Sequence, residues 1–566
     1  ILAQVTHIFF CSDKKKDYTI MTNDHVFAQI PSAKVPRSMF RRPFNLKTTI
    51  GCDYLYPIYV DEALPGDTFK FQQHLFGRLS TPVVPVMDNL FLDTFYFAVP
   101  IRLVDDNWVK VMGERPFGDS TTVYEVPQLI APSGGVTVGS LSDYLGIPIG
   151  VAGLKFSAYW HRAYNLIWNE WFRDENLVTP APVGTKNYDG TTVTESLSQY
   201  ILRKRGKRHD YFTSCLPWPQ KGSPVMIGIG SSTPVIGDGK GMRFMSDTGH
   251  TGYLTYNAQS TASSFNSVVL GHPSSVLDSG STDWPTSKRF DESGSKVLGL
   301  GNTNTGVIAD LSSATPITIN ALREAFAIQT LLEVDSRGGT RYIEIIRAHF
   351  GVVSPDARMQ RPEYLGGSSK PLNVTTVPQT SATSSDGETP QGNLSAFVTA
   401  GNDVGWTKSF TEHCLIIGLA NVRADLSYQQ GLPRMFSRKT RYDFYWPELA
   451  NLGEQAVLNK EIYAQGTSAD DEVFGYQERW AEYRYHPNMI TGLFRSTASL
   501  SLDVWHLAQK FESLPTLSST FIEESVPIGR IVAVQDQPPL ILDGFFDVRC
   551  ARPMPLYSVP GISTII

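Results

Sequence analysis

Alternation of apolar and polar residues near both ends of the chain is the feature that most constrains its fold. Within residues 54–103 the sequence alternates and is interrupted by turn residues, and Phe69 and Phe71 share one side of the run TFKFQQHLFGRL. The same period of two recurs in FFDVRCARPM from Phe545, and HCLIIGLANVRADLSY and GRIVAVQ are further apolar runs. Such patterns are typical of strands. The sequence therefore predicts strands near both ends, with long stretches of other structure between them.

Three segments between these strands have helical spacing instead. In FSAYWHRAYNLIWNEWFRDEN from Phe156, apolar residues recur every three or four positions, and Ser157 can cap the start. The segments NALREAFAIQTLLEVD from Asn320 and RYIEIIRAHFG from Arg341 have the same spacing. We therefore predict helices inside insertions between the strands, the first of them near residues 155–176.

Two stretches have the composition of loops. Residues 222–316 are rich in Gly, Ser, Thr and Asn and have no apolar period, which predicts a separate insertion with exposed loops. The polar stretch from Gly366 to Asn393 is too long for an ordinary connection, so we expect a surface or inter-subunit loop there.

The composition favours a folded protein that is not embedded in a membrane. Apolar residues make up 41% of the 566 residues, and no apolar run approaches the ~18 residues of a membrane-spanning helix. The cysteines have no paired spacing, so we expect reduced, mostly buried thiols and neither a zinc cluster nor disulfides. They are Cys11, Cys52, Cys215, Cys414 and Cys550.

The first 20 residues differ from the rest of the chain. Their apolar stretch precedes DKKKD, the reverse of the order in a secretion signal. Met21 opens a more ordinary polar start. We therefore expect residues 1–20 to be upstream-translated or non-native sequence that is poorly ordered.

Motifs of known enzymes are weak or missing in the sequence. The Gly-rich segments GIG and GLGNTNTG do not lie between a strand and a helix, and no nucleophile elbow or paired-cysteine motif occurs. A glycosidase needs only two acids across an aromatic cleft, and four glutamates lie beside Trp or in strand-like sequence. They are Glu170, Glu412, Glu448 and Glu478. Because no spacing selects a pair, a β-rich polysaccharide-acting hydrolase or carbohydrate-binding protein is the alternative hypothesis.

Clusters of positive charge are more informative, because the formal net charge of the whole chain is -6. The segment RKRGKR could be an address tag, a solvated loop or a surface that meets nucleic acid. Cations beside aromatic residues are what single-stranded nucleic acid requires, and three clusters suggest one basic surface. The candidate contacts are Arg37, Arg41 and Arg42; Arg203, Lys204, Arg205, Lys207 and Arg208; and, as secondary candidates, Arg434, Arg438, Lys439, Arg441 and Tyr442.

Several long segments resemble one known family. They include IPSAKVPRSMFRRPFNLKTTI from Ile30, KRHDYFTSCLPWPQKG from Lys207, GGTRYIEIIRAHFGVVSPDARMQRPEYLGG from Gly338 and RADLSYQQGLPRMFSRKTRYDFYWPELANLGEQ from Arg423. In these segments the chain is similar to the major capsid proteins of gokushovirus-type Microviridae, which are small single-stranded DNA phages. The resemblance covers nearly the whole chain from Met21, apart from the 222–316 insertion.

The resemblance implies a mainly β fold, an eight-stranded antiparallel jelly roll with long helix-containing loop insertions. It implies a structural protein and not an enzyme. We expect no cofactor, and no residues with the spacing of metal ligands stand out in the sequence. Copies would form pentamers and an icosahedral shell around a circular single-stranded DNA genome, in a virion assembled in the bacterial cytoplasm. Further implied partners are scaffolding proteins, minor DNA-pilot proteins and a host surface receptor.

The resemblance also divides the chain. Residues 21–53 would form an N-terminal basic arm, and residues 54–221 the first part of the jelly-roll core. Residues 222–316 would form a protrusion at the three-fold axes. Residues 317–566 would complete the core and supply inter-subunit loops and a C-terminal arm.

Overall fold

The computed structural model describes most of the chain outside its ends and the long insertion. The described residues are 36–80, 82–84, 86–114, 122–188, 194–223, 225, 319–353, 355, 356, 360–372, 380 and 401–557, with short strands at 235–237, 242–245, 251–254, 270–271, 299–300, 307–309, 375–378 and 394–398. Residues 1–20, Cys11 and most of the 222–316 insertion lie outside them, so the predictions made for these parts stay predictions.

The first core sheet joins strands from the two ends of the chain. Strands β1 (Ser38–Arg41) and β2 (Phe44–Ile50) both pair with β9 (Leu540–Arg552). Strand β9 pairs in turn with β4 (Thr68–Leu79), and β4 pairs with β7 (Gly401–Ser409). All these pairings are antiparallel, and the alternating burial along β4 confirms the predicted period of two.

The second core sheet contains four antiparallel strands. Its order is β6 (Glu363–Pro371), β5 (Leu90–Pro100), β8 (Cys414–Ala424) and β3 (Tyr56–Ala63). Every residue of β8 is buried, which explains why its sequence is a continuous apolar run and does not alternate.

The main core lies between the two sheets. Phe71 of β4 contacts Tyr96 of β5, with ring centroids 4.7 Å apart, and Tyr59 of β3 at 4.8 Å. All three rings are buried, and the Tyr96 hydroxyl donates to the Gln73 side chain, so its polar atom is satisfied. Burial of the Phe71 side chain alone stabilises the sandwich by about 1.5–3 kcal/mol.

A helix covers the outer face of the second sheet. Helix α1 (Tyr159–Trp171) packs Ala163 and Ile167 into a second apolar cluster with Phe97 and Ile417 of the sheet. This confirms the helix predicted near 155–176, although the Ser157 hydroxyl accepts from the Tyr159 amide one residue before the assigned cap. The first sheet carries no comparable helix among the described residues, and its outward side chains are exposed.

The two other predicted helices follow the insertion. Helix α2 (Ile319–Arg337) and helix α3 (Tyr342–Phe350) contact each other. Helix α3 ends at Gly351, whose φ of 68° closes the helix in the left-handed conformation that glycine favours. No helix in the described part of the chain combines the length and the apolar composition of a bilayer span.

Short elements complete the described fold. Strands lie at Gln128–Ile130, Lys155–Ser157, Thr194–Ser196, Val235–Gly237, Met242–Met245, Thr251–Leu254, Leu270–Gly271, Gly299–Leu300, Val307–Ala309, Thr375–Pro378, Leu394–Val398, Ser427–Tyr428, Glu454–Leu458, Val473–Glu478 and Asn488–Met489. Short α-helices lie at Trp108–Val111, Leu141–Tyr144, Asn459–Ile462 and Ser519–Ile522. Short 3₁₀ turns lie at Ile101–Leu103, Leu197–Gln199, Arg434–Phe436, Arg441–Asp443, Pro447–Leu449, Ser468–Asp471, Ala481–Tyr483, Gly492–Phe494, Asp503–Trp505 and Ile528–Arg530.

Two predictions made from the sequence were wrong. GRIVAVQ is not a strand: it begins in the Ile528–Arg530 turn, and only Val532 forms an isolated bridge, to Pro82. The polar stretch from Gly366 is not entirely a loop either, because its first residues belong to β6. The described fold is mainly β, with antiparallel sheets and few helices, which confirms the predicted mainly β class.

Candidate nucleic-acid interface

The segment RKRGKR is an extended strand-like connection held on both sides by backbone hydrogen bonds. The Leu55 amide donates to the Arg203 carbonyl oxygen at 3.0 Å, and the Arg205 amide donates to Asp53 at 2.9 Å. On the other side, the Lys207 amide donates to the Ile522 carbonyl oxygen at 2.8 Å. The segment is therefore part of the folded body and not a solvated loop.

Arg205 is neutralised inside the chain. Its guanidinium forms an ion pair with Asp93 of β5, and Arg423 of β8 donates to the same carboxylate oxygen at 2.8 Å. Burial alone would raise the pKa of Asp93, but the charge of Arg205 and the hydrogen bonds from both arginines outweigh it and hold that pKa below its ordinary value. Arg205 therefore supports the second sheet.

Lys207 is also directed into the protein. The residue is buried, its ammonium group donates to the Gln509 side chain at 3.2 Å, and it lies 4.5 Å from the centre of the Phe521 ring. Burial lowers the pKa of Lys207 to about 8, because the charged form loses its hydration. A side chain in this position cannot reach a phosphate without leaving its site.

The other three cations of the segment are less enclosed. Arg203 lies 5.5 Å from the centre of the Trp168 ring, and Lys204 lies 5.7 Å from that of Tyr54. Arg208 is exposed, and no ion pair joins its side chain to an acid in the part of the chain that the structure describes. It lines a cleft of about 1210 Å³ beside the second sheet, together with Arg173, Arg337, Arg341 and Arg347.

The N-terminal cluster lies on the first sheet. Arg37 is exposed and donates to the Gly66 carbonyl oxygen at 2.5 Å. Arg41 is 63% exposed and pairs with Asp547 at 3.0 Å, while Arg42 pairs with Asp61. Both guanidinium groups reach solvent, although the carboxylates of Asp547 and Asp61 are only 10% and 11% exposed.

The third cluster divides into partly buried, ion-paired cations and exposed residues that are mainly aromatic. Arg434 donates to Glu461 at 2.9 Å, and Arg438 lies 3.5 Å from Glu482 and 4.4 Å from the centre of the Tyr483 ring. Lys439 and Arg441 are exposed, and Arg441 lies over Tyr442. What reaches solvent here is mainly apolar: Tyr442, Phe444, Tyr445, Trp446 and Tyr483 are each about half exposed. We call these five residues the aromatic surface.

The surroundings of the four glutamates do not favour the alternative enzyme hypothesis. Arg102 contacts both oxygens of Glu412, at 2.7 and 3.1 Å. Burial raises the pKa of Glu478, but hydrogen bonds and charges, first those of Arg484, lower it overall, the opposite of what a general acid needs. Glu448 is exposed in a 3₁₀ turn, and Glu170 lines a separate small cleft.

The remaining titratable residues also have structural surroundings. The four described cysteines are buried and free, as predicted. Burial lowers the pKa of His161 to about 3, so this residue is a neutral core histidine that contacts Ser142 at 2.8 Å. Among the described residues no group of three His, Cys, Asp or Glu side chains could hold a metal ion.

Sequence reasoning missed the partners of RKRGKR and one exposed surface. Asp93 and Glu524 lie far from the segment in sequence, so no local pattern connects them to it. The exposed surface is the outer face of the first sheet, where Lys47, Lys70 and Arg78 project. The sequence did contain a signal for this surface, because the alternation in β4 separates the exposed residues KQHFR from the buried residues FFQLGL.

Comparisons with known proteins cover almost the whole chain. A family model described as "Capsid protein (F protein)" matches residues 28–562. The capsid protein VP1 of Bdellovibrio phage phiMH2K is 47% identical over 545 residues, which cover 95% of this chain and 98% of that protein. The corresponding proteins of Chlamydia phage 1 and Spiroplasma virus 4 are 43% and 37% identical, over 95% and 98% of this chain and 98% and 100% of their own. The matched residues include both core sheets and all three basic clusters.

Proposed function

The chain belongs to the capsid protein (F protein) family, and from this premise we propose that its copies form an icosahedral shell around a circular single-stranded DNA genome. It is a structural major capsid protein and not an enzyme. This role entails self-assembly into a shell and a place in the virion. The observation that carries the proposal is the match at 47% identity over 95% of the chain to a capsid protein VP1.

The core of each subunit, in this proposal, is an eight-stranded jelly roll. The strand order supports it if β1 and β2 are counted as one interrupted strand, because both pair with β9. One sheet then has the order β1/β2–β9–β4–β7 and the other β3–β8–β5–β6. Successive strands alternate between the sheets except at β5 and β6, as in two interlocked Greek keys.

The 222–316 insertion is proposed to form the exterior protrusion and to meet the host receptor. It lies between β5 and β6, which are neighbours in the second sheet. The segments that connect β5 and β6 to the insertion therefore begin on the side of the second sheet that α1 covers. Loops of this kind carry recognition because they can vary without changing the core.

DNA contact is proposed for the cations that remain accessible. Arg37, Arg41 and Arg208 are exposed, and Arg42 is 39% exposed. Arg203 and Lys204, predicted among the main candidates, lie over aromatic rings and become secondary ones, with Lys439 and Arg441. The enclosed contacts of Arg205, Lys207, Arg434 and Arg438 favour structural roles for these four.

Contacts between copies are proposed for the aromatic surface. Monomeric proteins rarely leave large apolar patches in water, and aromatic side chains are enriched where proteins associate. The rings are held in place, because Trp446 donates to the Arg441 carbonyl oxygen at 2.8 Å and Arg438 lies between Phe444 and Tyr483. Such rigid rings lose little conformational entropy when a neighbouring copy covers them.

Assembly is proposed to take place in the bacterial cytoplasm with scaffolding and DNA-pilot proteins. The test is to express the chain from Met21 with the scaffolding protein of its phage and to image the products by electron microscopy. We expect pentamers or closed shells that contain single-stranded DNA. A product that stays a monomer in all conditions would contradict the shell, and closed shells that never acquire DNA would contradict the genome-enclosing role.

A further inference from the structure

The outer face of the first sheet is a broad exposed surface with no partner in the described chain. We infer that this face binds single-stranded DNA, with bases on its aromatic rings and phosphates on its cations. The inference rests on the proposed function and adds a site to it. We call the face the open face, and its principal residues are Lys47 of β2, Lys70, His74, Phe76 and Arg78 of β4, and Asp543, Phe545 and Arg549 of β9.

The register of the strands places these side chains on one surface. Lys47 is opposite Asp543, which is opposite Phe76. Phe545 is opposite His74, two positions along each strand from Asp543 and Phe76. Because side chains two positions apart project from the same face of a sheet, the three strands contribute to one continuous surface.

Charge on the open face is positive, although the chain as a whole is negative. Five cations project from it, Arg41, Lys47, Lys70, Arg78 and Arg549, against three acids, Asp403, Asp543 and Asp547. Two of these acids are already paired: Asp547 with Arg41 and Arg549, and Asp403 with His74 at 2.8 Å.

Three of the cations are available for phosphates. Lys47, Lys70 and Arg78 are exposed, and within the described residues no ion pair joins any of them to an acid. Flexible, unpaired cations on a flat surface follow a phosphate backbone without sequence preference.

Two phenylalanines lie among these cations. Phe76 and Phe545 are each 40% exposed, although they are on the central strands of a sheet whose other face is a complete apolar core. They are diagonal neighbours on adjacent strands, about 7–8 Å apart. Phe545 also stacks on His74, with ring centroids 6.2 Å apart and planes at 19°. Exposed rings on a sheet are the platform on which single-stranded bases stack.

The position of the open face is consistent with the interior of a shell. Helix α1 and the chain that leads to the 222–316 insertion lie on the second sheet, at the opposite side of the sandwich. If the insertion is the exterior protrusion, the open face is directed towards the lumen. Arg208, which lines the cleft beside the second sheet, is then a weaker candidate for genome contact than the cations of the open face. A second copy is a poorer occupant, because its apolar surface would have to desolvate three unpaired cations.

The test measures DNA binding and assembly on the same variants of the full chain. One variant is Phe76→Ala with Phe545→Ala, and its matched control is Phe436→Ala, an exposed phenylalanine far from this sheet in sequence. The other is Lys47→Gln with Lys70→Gln and Arg78→Gln, with Lys155→Gln as control. The probe is a fluorescent oligothymidylate of about 16 nucleotides, followed by anisotropy between about 50 and 200 mM salt. Thermal unfolding midpoints verify that the variants are folded.

We expect the double phenylalanine variant to lose at least about fivefold in affinity, the effect of about 1 kcal/mol of lost base stacking. The triple cation variant should reduce the slope of log affinity against log salt by about 2, since each contact with a single strand contributes about 0.7. Shells that form normally with unchanged DNA affinity would overturn the inference and leave the proposed function intact. Lost assembly with unchanged affinity would make the open face an inter-subunit contact and overturn it too. Failure of the unmodified chain to assemble would instead contradict the proposed function.

Discussion

The ammonium group of Lys207 lies 4.5 Å from the centre of the Phe521 ring, in the interior of the subunit. Lys207 is near the end of RKRGKR, and this contact holds its side chain inside the subunit. The adjacent Arg208 is exposed. The same short segment therefore combines a supporting residue with a residue that can meet DNA. The two adjacent cations give different predictions.

Replacement of Lys207 by methionine should preserve both the fold and the DNA affinity. Methionine keeps the contact with Phe521 and removes a buried charge whose hydration is lost, so we expect stability within about 1 kcal/mol of the original. Arg208→Gln, in contrast, should weaken oligothymidylate binding by the unassembled chain, in which both sides of the sandwich are accessible, and reduce its salt dependence. Anisotropy and denaturant unfolding of both variants check this, and an equal loss of affinity in both would contradict the assignment.

Removal of the Asp93 carboxylate should destabilise the subunit strongly. In Asp93→Asn, the buried guanidinium of Arg423 and the partly buried one of Arg205 lose their shared counter-charge, which costs about 3–5 kcal/mol. The matched control is Asp403→Asn, because Asp403 and His74 form an exposed pair worth at most about 1 kcal/mol. Denaturant midpoints of the two variants make the comparison, and equal midpoints would show that Asp93 is not a structural support.

Glu524 should make stability fall as pH rises towards about 8. The side chain is 2% exposed, and burial raises its pKa to about 8 even though Arg205 lowers it. The folded-state pKa of Glu524 lies above the unfolded value of about 4.3. The contribution of its protonated side chain to the free energy of unfolding is therefore complete below pH ~4.3 and is lost as pH rises through the folded pKa. Glu524→Gln, which cannot ionise, should therefore be more stable than the original chain at pH 9 and nearly equal to it at pH 5.

Thermal unfolding midpoints of the unassembled chain at the two pH values measure this effect. The control is Glu512→Gln, because the Glu512 side chain is 82% exposed and has little to gain from neutralisation. A constant difference between the Glu524→Gln variant and the original chain at both pH values would show that Glu524 does not titrate in this window.

Local patterns were sufficient to predict much of the fold, because they record which face of each element is buried. The alternation in β4 and the helical spacing in α1 both correspond to buried faces of the structure. Strand β6 was missed for a physical reason. Glycine occurs in β6 because the backbone of β5 lies very close to it: a Cβ on Gly367 would collide with the Thr94 carbonyl oxygen of β5. Such contact between segments that are distant in sequence leaves no periodic pattern in the sequence.

The candidate site was less predictable, because the fate of a charge depends on distant residues. RKRGKR suggested one basic surface, yet Arg205 is paired with Asp93, which lies 112 positions away. Arg434 and Arg438 are likewise taken up by Glu461 and Glu482. A cluster of cations in a sequence indicates where charge is concentrated, and only the fold decides which of its members face solvent.

The aromatic surface gives the last prediction, which concerns assembly. Phe444 is 51% exposed, and its only ring contact with a cation among the described residues is with Arg438 at 5.3 Å, so Phe444→Ser should change monomer stability by about 1 kcal/mol or less. Its effect on assembly should be much larger, because the same contact is repeated in every copy, and a loss of about 1.4 kcal/mol per contact weakens each association tenfold. We therefore expect folded subunits and few closed shells by light scattering and electron microscopy. Val138→Ser, at a valine that is 77% exposed outside the aromatic surface, is the control and should assemble normally. Normal shells from Phe444→Ser would remove the aromatic surface from the contacts between copies.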